Sequence, residues 1–168
     1  MGRWKLALPF QGSTIIETSV SHALCGFSRV LLVTGYRAAE IAALFAEDPR
    51  VLLVDNPLWE RGMFSSIQRG IVHVETERFF IALGDMPFIG AEVYEALLQC
   101  PPADAVFPVH DGRRGHPVLF HARVKEDVLR ADPSTGRMAE IASRFTVYEM
   151  QWGDDSILRD IDTEEDYA

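Results

Sequence analysis

The chain has 168 residues, 48% of them apolar and 24% charged, a composition that fits one globular domain and excludes a disordered or fibrous protein. Sixteen basic against twenty-five acidic side chains give a net charge of −9, so duplex nucleic acid, which needs a basic face, is not an expected partner, whereas an anionic small molecule stays open. Two cysteines without zinc spacing, and no apolar run near the roughly 20 residues of a membrane span, point to a reducing cytoplasm and no membrane attachment.

Taken in order, apolar β-branched runs alternate with segments of helical spacing, which predicts an α/β domain with a mostly parallel sheet. Ser13 or Thr14 can cap a first helix over 14–24 that Gly26 closes. A strand over 29–34 (RVLLVT), a helix over 38–46, a strand over 51–55 (VLLVD) and a helix over 64–73 follow. The run 79–84 (FFIALG) is the most apolar strand. A helix over 91–99, strands over 105–109 and 117–121, helices over 122–130 and 137–143 and a strand over 146–150 complete the pattern. Residues 101–102 (PP) and 132–136 (DPSTG) read as loops inside the domain.

Ligands of open parallel sheets sit beyond the C-terminal strand ends, so the residues after each apolar run are the candidates for chemistry. After 79–84, Gly84 permits close backbone approach and Asp85 offers a carboxylate suited to Mg²⁺ or a cap for the next helix. Asp160 and Asp162 form a second acidic group, a metal partner if that end folds back on Asp85 and a solvated helix start otherwise. The segment 62–70 (GMFSSIQRG) opens a helix with a glycine and two serines, fit to meet a base or phosphate or simply to cap the helix. The stretch 113–117 (RRGHP) can hold an anionic or pterin-like group or make a basic hairpin loop.

Together these segments resemble the molybdenum cofactor cytidylyl/guanylyltransferase family over essentially the whole chain. The resemblance is carried by MGRWKLALPFQGSTIIE at 1–17, VTGYRA at 33–38, NPLWERGMFSSIQRGI at 56–71, GDMPFI at 84–89, GRRGHPVLF at 112–120 and DIDTEEDY at 160–167. It implies a three-layer, Rossmann-like nucleotidyltransferase domain in which Mg²⁺ assists transfer of a nucleoside monophosphate to molybdopterin with release of pyrophosphate. On the matching positions Lys5 and Asp85 would be catalytic. Lys5, Gly35, Gly62, Ser65, Ser66 and Asp85 would border the nucleotide, Asp85 with Asp160 or Asp162 would hold the metal, and Arg114, His116 and Pro117 would face the pterin. The form of GRRGHPVLF is closer to the cytidylyl branch, so CTP rather than GTP is expected, with an apo molybdenum hydroxylase as the downstream partner.

The family carries a strand and a loop, LAAG-x-S-x-R, just before the Met-Gly that opens this sequence, so the chain is expected to be N-terminally truncated relative to the family. The first central strand should then be missing between 29–34 and 79–84, leaving unpaired backbone in mid-sheet and favouring self-association or marginal stability. Two other readings use the same residues. One is a nucleotidyltransferase for another phosphorylated metabolite, and the other is a non-catalytic molybdenum cofactor carrier or insertion protein.

Overall fold

The structure, a computed structural model, describes residues 5–161; Asp162 lies outside them. After a 3-10 turn at Lys5–Ala7, β1 (Pro9–Phe10) and β2 (Ser13–Thr14) make a small antiparallel hairpin. Thr14 then caps α1 (Ile15–Gly26) through a reciprocal pair: its hydroxyl accepts from the Glu17 amide at 3.3 Å, and the Glu17 carboxylate accepts from the Thr14 amide at 3.0 Å. The same carboxylate accepts from the Thr14 hydroxyl at 2.6 Å, and that bond, ahead of the opposing cost of burial, holds the Glu17 carboxyl below its ordinary range.

The chain continues through β3 (Val30–Thr34), α2 (Ala38–Leu44), β4 (Val51–Asp55), α3 (Met63–Ile71), β5 (Arg78–Ile81), α4 (Ala91–Leu98), β6 (Ala105–His110), β7 (Arg113–Arg114), β8 (Val118–His121), α5 (Lys125–Arg130), α6 (Met138–Ala142) and β9 (Val147–Gln151). The α/β class and each anticipated strand are present, with three differences of detail. The stretch 113–114 pairs with the end of β6 as a short hairpin, its turn made by Asp111 and Gly112 at φ 49° and 73°. The stretch 122–130 is broken into a 3-10 turn at Ala122–Val124 and then α5, because the His121 ring accepts from the Arg123 amide at 3.1 Å and tightens the first turn. The sheet is mixed: β8 returns between β5 and β6 and runs antiparallel to both, while β6–β9 and β3–β4 are parallel.

Alternation along these strands makes the layers. Phe79, Phe107, Val118 and Phe120 pack on one face against Phe64 and Ile71 of α3, Val128 of α5 and Ile141 of α6. Val106 and Leu119 pack on the other face against Val93, Tyr94 and Leu97 of α4. A third cluster joins Ile16, Val20 and Leu24 of α1 to Ile41, Phe45 and Val51, and covers the β3–β4 pair. Among the described residues no helix is long and apolar enough to cross a membrane.

The gap expected in mid-sheet is present. Among the described residues the pair β3–β4 shares no strand pairing with the five-stranded sheet of β5, β8, β6, β7 and β9. A cavity of about 590 Å³ lies between β3 and β5, lined by Leu31, Val33, Phe79 and Ile81 and roofed by Ile16 of α1 and Ile67 of α3. Helix packing, not a strand ladder, joins the two sheets.

The C-terminal strand ends are held in turn by close backbone packing at Gly115, where an added Cβ would lie 2.3 Å from the Ile157 carbonyl oxygen. Gly115→Ala is expected to lower unfolding free energy by about 1–3 kcal/mol in urea denaturation, the cost of overpacking against unyielding backbone. Gly26→Ala, where nothing lies within 4 Å, should not destabilise.

Candidate active site

Asp85 follows β5 on a turn to which three distant segments are tied. The Lys5 ammonium, eighty residues away, donates to Asp85 Oδ2 at 2.8 Å, with both side chains partly accessible. The Ile161 amide donates to the Asp85 carbonyl at 3.0 Å and so returns the end of the described chain, including the exposed Asp160, to this turn. From α1, the Ser19 hydroxyl donates to the Gly84 carbonyl at 3.1 Å, and Gly84 leaves room for Ile16, whose Cδ1 would be 2.5 Å from a Cβ there. Phe10, Phe88 and Arg159 brace the rim: Phe10 meets Phe88 edge-on at 5.4 Å, and the Arg159 guanidinium lies 3.9 Å from the centre of the Phe88 ring.

This arrangement pairs Lys5 with Asp85 and brings the backbone next to Asp160 to the same turn. The donors are carboxylate oxygens, and among the described residues no group of three His, Cys, Asp or Glu side chains forms a metal cage. Such a set fits a hard cation that takes one or two carboxylates and completes its shell with phosphate oxygens and water, as Mg²⁺ does.

The segment before α3 is organised by Asn56, which the sequence reading passed over. Asn56 is buried; its Nδ2 donates to the Ser65 and Ser66 hydroxyls at 3.0 Å each, and its Oδ1 accepts from the Leu58 amide at 3.1 Å. Ser65 donates onward to the Gly62 carbonyl at 2.7 Å, so this buried serine shapes the turn rather than offering its hydroxyl to a ligand. Ser66 accepts from Asn56 and lines the central cavity. Gly62 begins α3 at φ 96°, a left-handed conformation that favours glycine. Gly35 is required for packing: a Cβ there would lie 2.3 Å from the Trp59 Cβ.

The three residues expected on the pterin side have different partners. His116 and Pro117 lie at the Asp85 end, where the buried His116 Nδ1 has no hydrogen-bond partner among the described residues and the His116 amide donates to the Ile157 carbonyl at 2.9 Å. Pro117 is buried behind a cis bond. Arg114 is engaged elsewhere: its Nε donates to Glu149 at 2.7 Å and its guanidinium lies 4.5 Å over the Phe107 ring. That ion pair on the β7–β9 surface could not be read from the sequence, because the partner is contributed by a strand thirty-five residues away.

The family described as MobA-like NTP transferase domain matches residues 1–147. The chain is 30% identical over 167 residues to the protein named molybdenum cofactor cytidylyltransferase in Escherichia coli (strain K12), a span of 99% of this chain and 86% of that one. A Mycobacterium tuberculosis H37Rv protein solved as a complex with manganese superposes with a TM-score of 0.81 at 25% identity, covering 99% of this chain and 90% of the other. A nucleotidyl transferase from Methanothermobacter superposes with a TM-score of 0.82 at 22% identity, covering 97% and 81%, a likeness of fold.

Burial dominates the proton affinity of His116 and lowers its pKa, against smaller raising effects of the Ile81 backbone and the Asp85 charge. The folded protein therefore favours neutral His116, and the unfolded chain takes up its proton first as pH falls through about 6.5. Stability should drop below that pH and be fully present above it. The drop from pH 7 to pH 5, followed by urea denaturation, is expected to be smaller in His116→Gln than in the wild type.

Proposed function

Because the chain belongs to the MobA-like NTP transferase domain family, we propose that it transfers CMP from CTP to molybdopterin in a Mg²⁺-dependent reaction, for delivery of the product to an apo molybdenum hydroxylase. The single observation that carries the reading is the Lys5–Asp85 pair, a cation and a carboxylate 2.8 Å apart at the end of β5. The name and full-length similarity of the Escherichia coli relative support cytidylyl transfer to molybdopterin over transfer to another phosphorylated metabolite.

In this reading the terminal phosphate of molybdopterin attacks the α-phosphorus of CTP. A phosphorus–oxygen bond to the acceptor forms, the bond between the α-phosphorus and its bridging oxygen breaks, and pyrophosphate leaves with that electron pair. The acceptor phosphate is ionised at neutral pH and needs no general base, so the chain contributes position and charge neutralisation. Lys5 leaves its ion pair to meet phosphate oxygens, and the Asp85 and Asp160 carboxylates would hold Mg²⁺. When bound, Mg²⁺ supplies charge neutralisation of the triphosphate and of the leaving pyrophosphate.

Gly62 and Ser66 border the nucleotide from the β3–β4 side, with Ser65 and Asn56 fixing their positions. His116, neutral by burial, presents no second cation to compete with Lys5 and lines the acceptor side with Pro117. A chain of net charge −9 thus meets a polyanion through one placed lysine and a metal rather than a basic face.

Pyrophosphate release in the presence of CTP, molybdopterin and Mg²⁺ tests the reading. Asp85→Asn is expected to lower kcat about a hundredfold or more, and Lys5→Met to lower kcat/KM for CTP by a similar factor, each with an unchanged circular dichroism spectrum. Turnover by Asp85→Asn within a few-fold of the wild type would overturn the assignment of that carboxylate.

A further inference from the structure

Tyr36 and Trp59 are large aromatic residues left 58% and 40% exposed, and they stand side by side with ring centres 5.4 Å apart and planes at 53°. Leu58, next to Trp59 in the chain, and Met63, at the start of α3, are 48% and 61% exposed. We propose that Tyr36 and Trp59 form a stacking platform for the base of the bound nucleotide. This rests on the nucleotidyl-transfer reading above and adds to it the part of the site that grips the base.

Both rings are positioned by the backbone around them. Trp59 is seated against Gly35, where any side chain would occupy its place. Its amide donates to the Asn56 carbonyl at 3.2 Å, and the Asn56 amide donates in turn to Thr34 at the end of β3 at 2.7 Å. Tyr36 is set between Gly35 and Arg37, whose backbone is left-handed at φ 56° and whose guanidinium is bound by Glu40. The guanidinium is thereby held on its own helix.

The occupant follows from where the platform is attached. Asn56 fixes the Trp59 loop and also bonds Ser66, so the rings belong to the β3–β4 half that borders the nucleotide. Asp85, His116 and Pro117, on the acceptor side, stand at the edge of the other sheet. Exposed aromatic rings suit the π-face of a base and do not read its edge. Grip without discrimination is the signature expected.

The test is calorimetric titration of CTP, GTP and inorganic tripolyphosphate, each with Mg²⁺, into the wild type, Trp59→Ala, Trp59→Phe and Tyr36→Ala. Trp59→Ala should weaken CTP and GTP alike by about tenfold, the usual consequence of losing one stacked aromatic, and leave tripolyphosphate unchanged. Trp59→Phe should recover most of the loss. Tyr36→Ala, which alters only an exposed ring, should weaken both nucleotides and carries the test if Trp59→Ala fails to fold.

Unchanged CTP affinity, or an equal loss for tripolyphosphate, would overturn the proposal, the latter showing that the loop had only been displaced. A loss for one base alone, or an effect confined to the KM for molybdopterin, would overturn it too, by assigning the rings to edge recognition or to the pterin. If the wild type binds CTP more tightly than tripolyphosphate but releases no pyrophosphate, the transfer reading fails while the titrations still decide the platform.

Discussion

Lys5, Ser19 and Ile161 come from distant parts of the chain, and the turn of Gly84 and Asp85 after β5 is where they are forced into contact. Three hydrogen bonds do this: the Lys5 ammonium to Asp85 Oδ2, the Ile161 amide to the Asp85 carbonyl, and the Ser19 hydroxyl to the Gly84 carbonyl. Each bond is worth only about 1 kcal/mol net, more for the charged one. Their positional effect is larger than their energy, because they fix the start of the described chain, its end and α1 to the point where a strand delivers its carboxylate.

Helix α1 carries a second burden created by the sheet. With β3 and β5 unpaired across the cavity, α1 connects the two sheets by packing Ile16, Val20 and Leu24 toward α2 and β4, and Ala23 toward the cluster of α4. Its Thr14–Glu17 capping box therefore stabilises more than one helix end. From the opposite face α3 makes the same connection, with Ile71 in the core of the five-stranded sheet and Gly70 against Val33 of β3. Apolar packing has no fixed direction, so this join specifies the spacing of the sheets less sharply than a shared ladder of hydrogen bonds would.

What the sequence disclosed and what it hid follow a physical division. Strands such as 105–109 were legible because burial on both faces demands continuous apolar residues, and the start of α1 was legible because a cap is a local bond between residues three apart. The gap was expected from the family resemblance alone. The β1–β2 hairpin and β7, each strand two residues long, are too short to show a period, and the antiparallel entry of β8 depends on pairings that no local pattern encodes. In the site, Asp85 was a candidate as a residue type after a strand, whereas Lys5 was a candidate only through the family resemblance. Asn56 binding two serines, Ser65 turned inward and Arg114 held by Glu149 were not, since each depends on which partner folding supplies.

Under the proposed function one site serves two substrates from two parts of the fold. The residues proposed for the nucleotide, Gly35, Gly62 and Ser66, with Asn56 that positions their loop, stand after β3 and β4 and at the start of α3, whereas Asp85, His116 and Pro117 stand after β5 and on the approach to β8. Transfer between two phosphates requires the reacting atoms to come within about 3–3.5 Å in line, so the chemistry depends on how these two groups of residues are held relative to one another. In that reading Lys5, bound to Asp85, is the side chain that would meet the phosphates. A lysine suits that position better than an arginine would. Its flexible stem and compact charge let it exchange a carboxylate oxygen for a phosphate oxygen without the two-point geometry that would fix a guanidinium to Asp85.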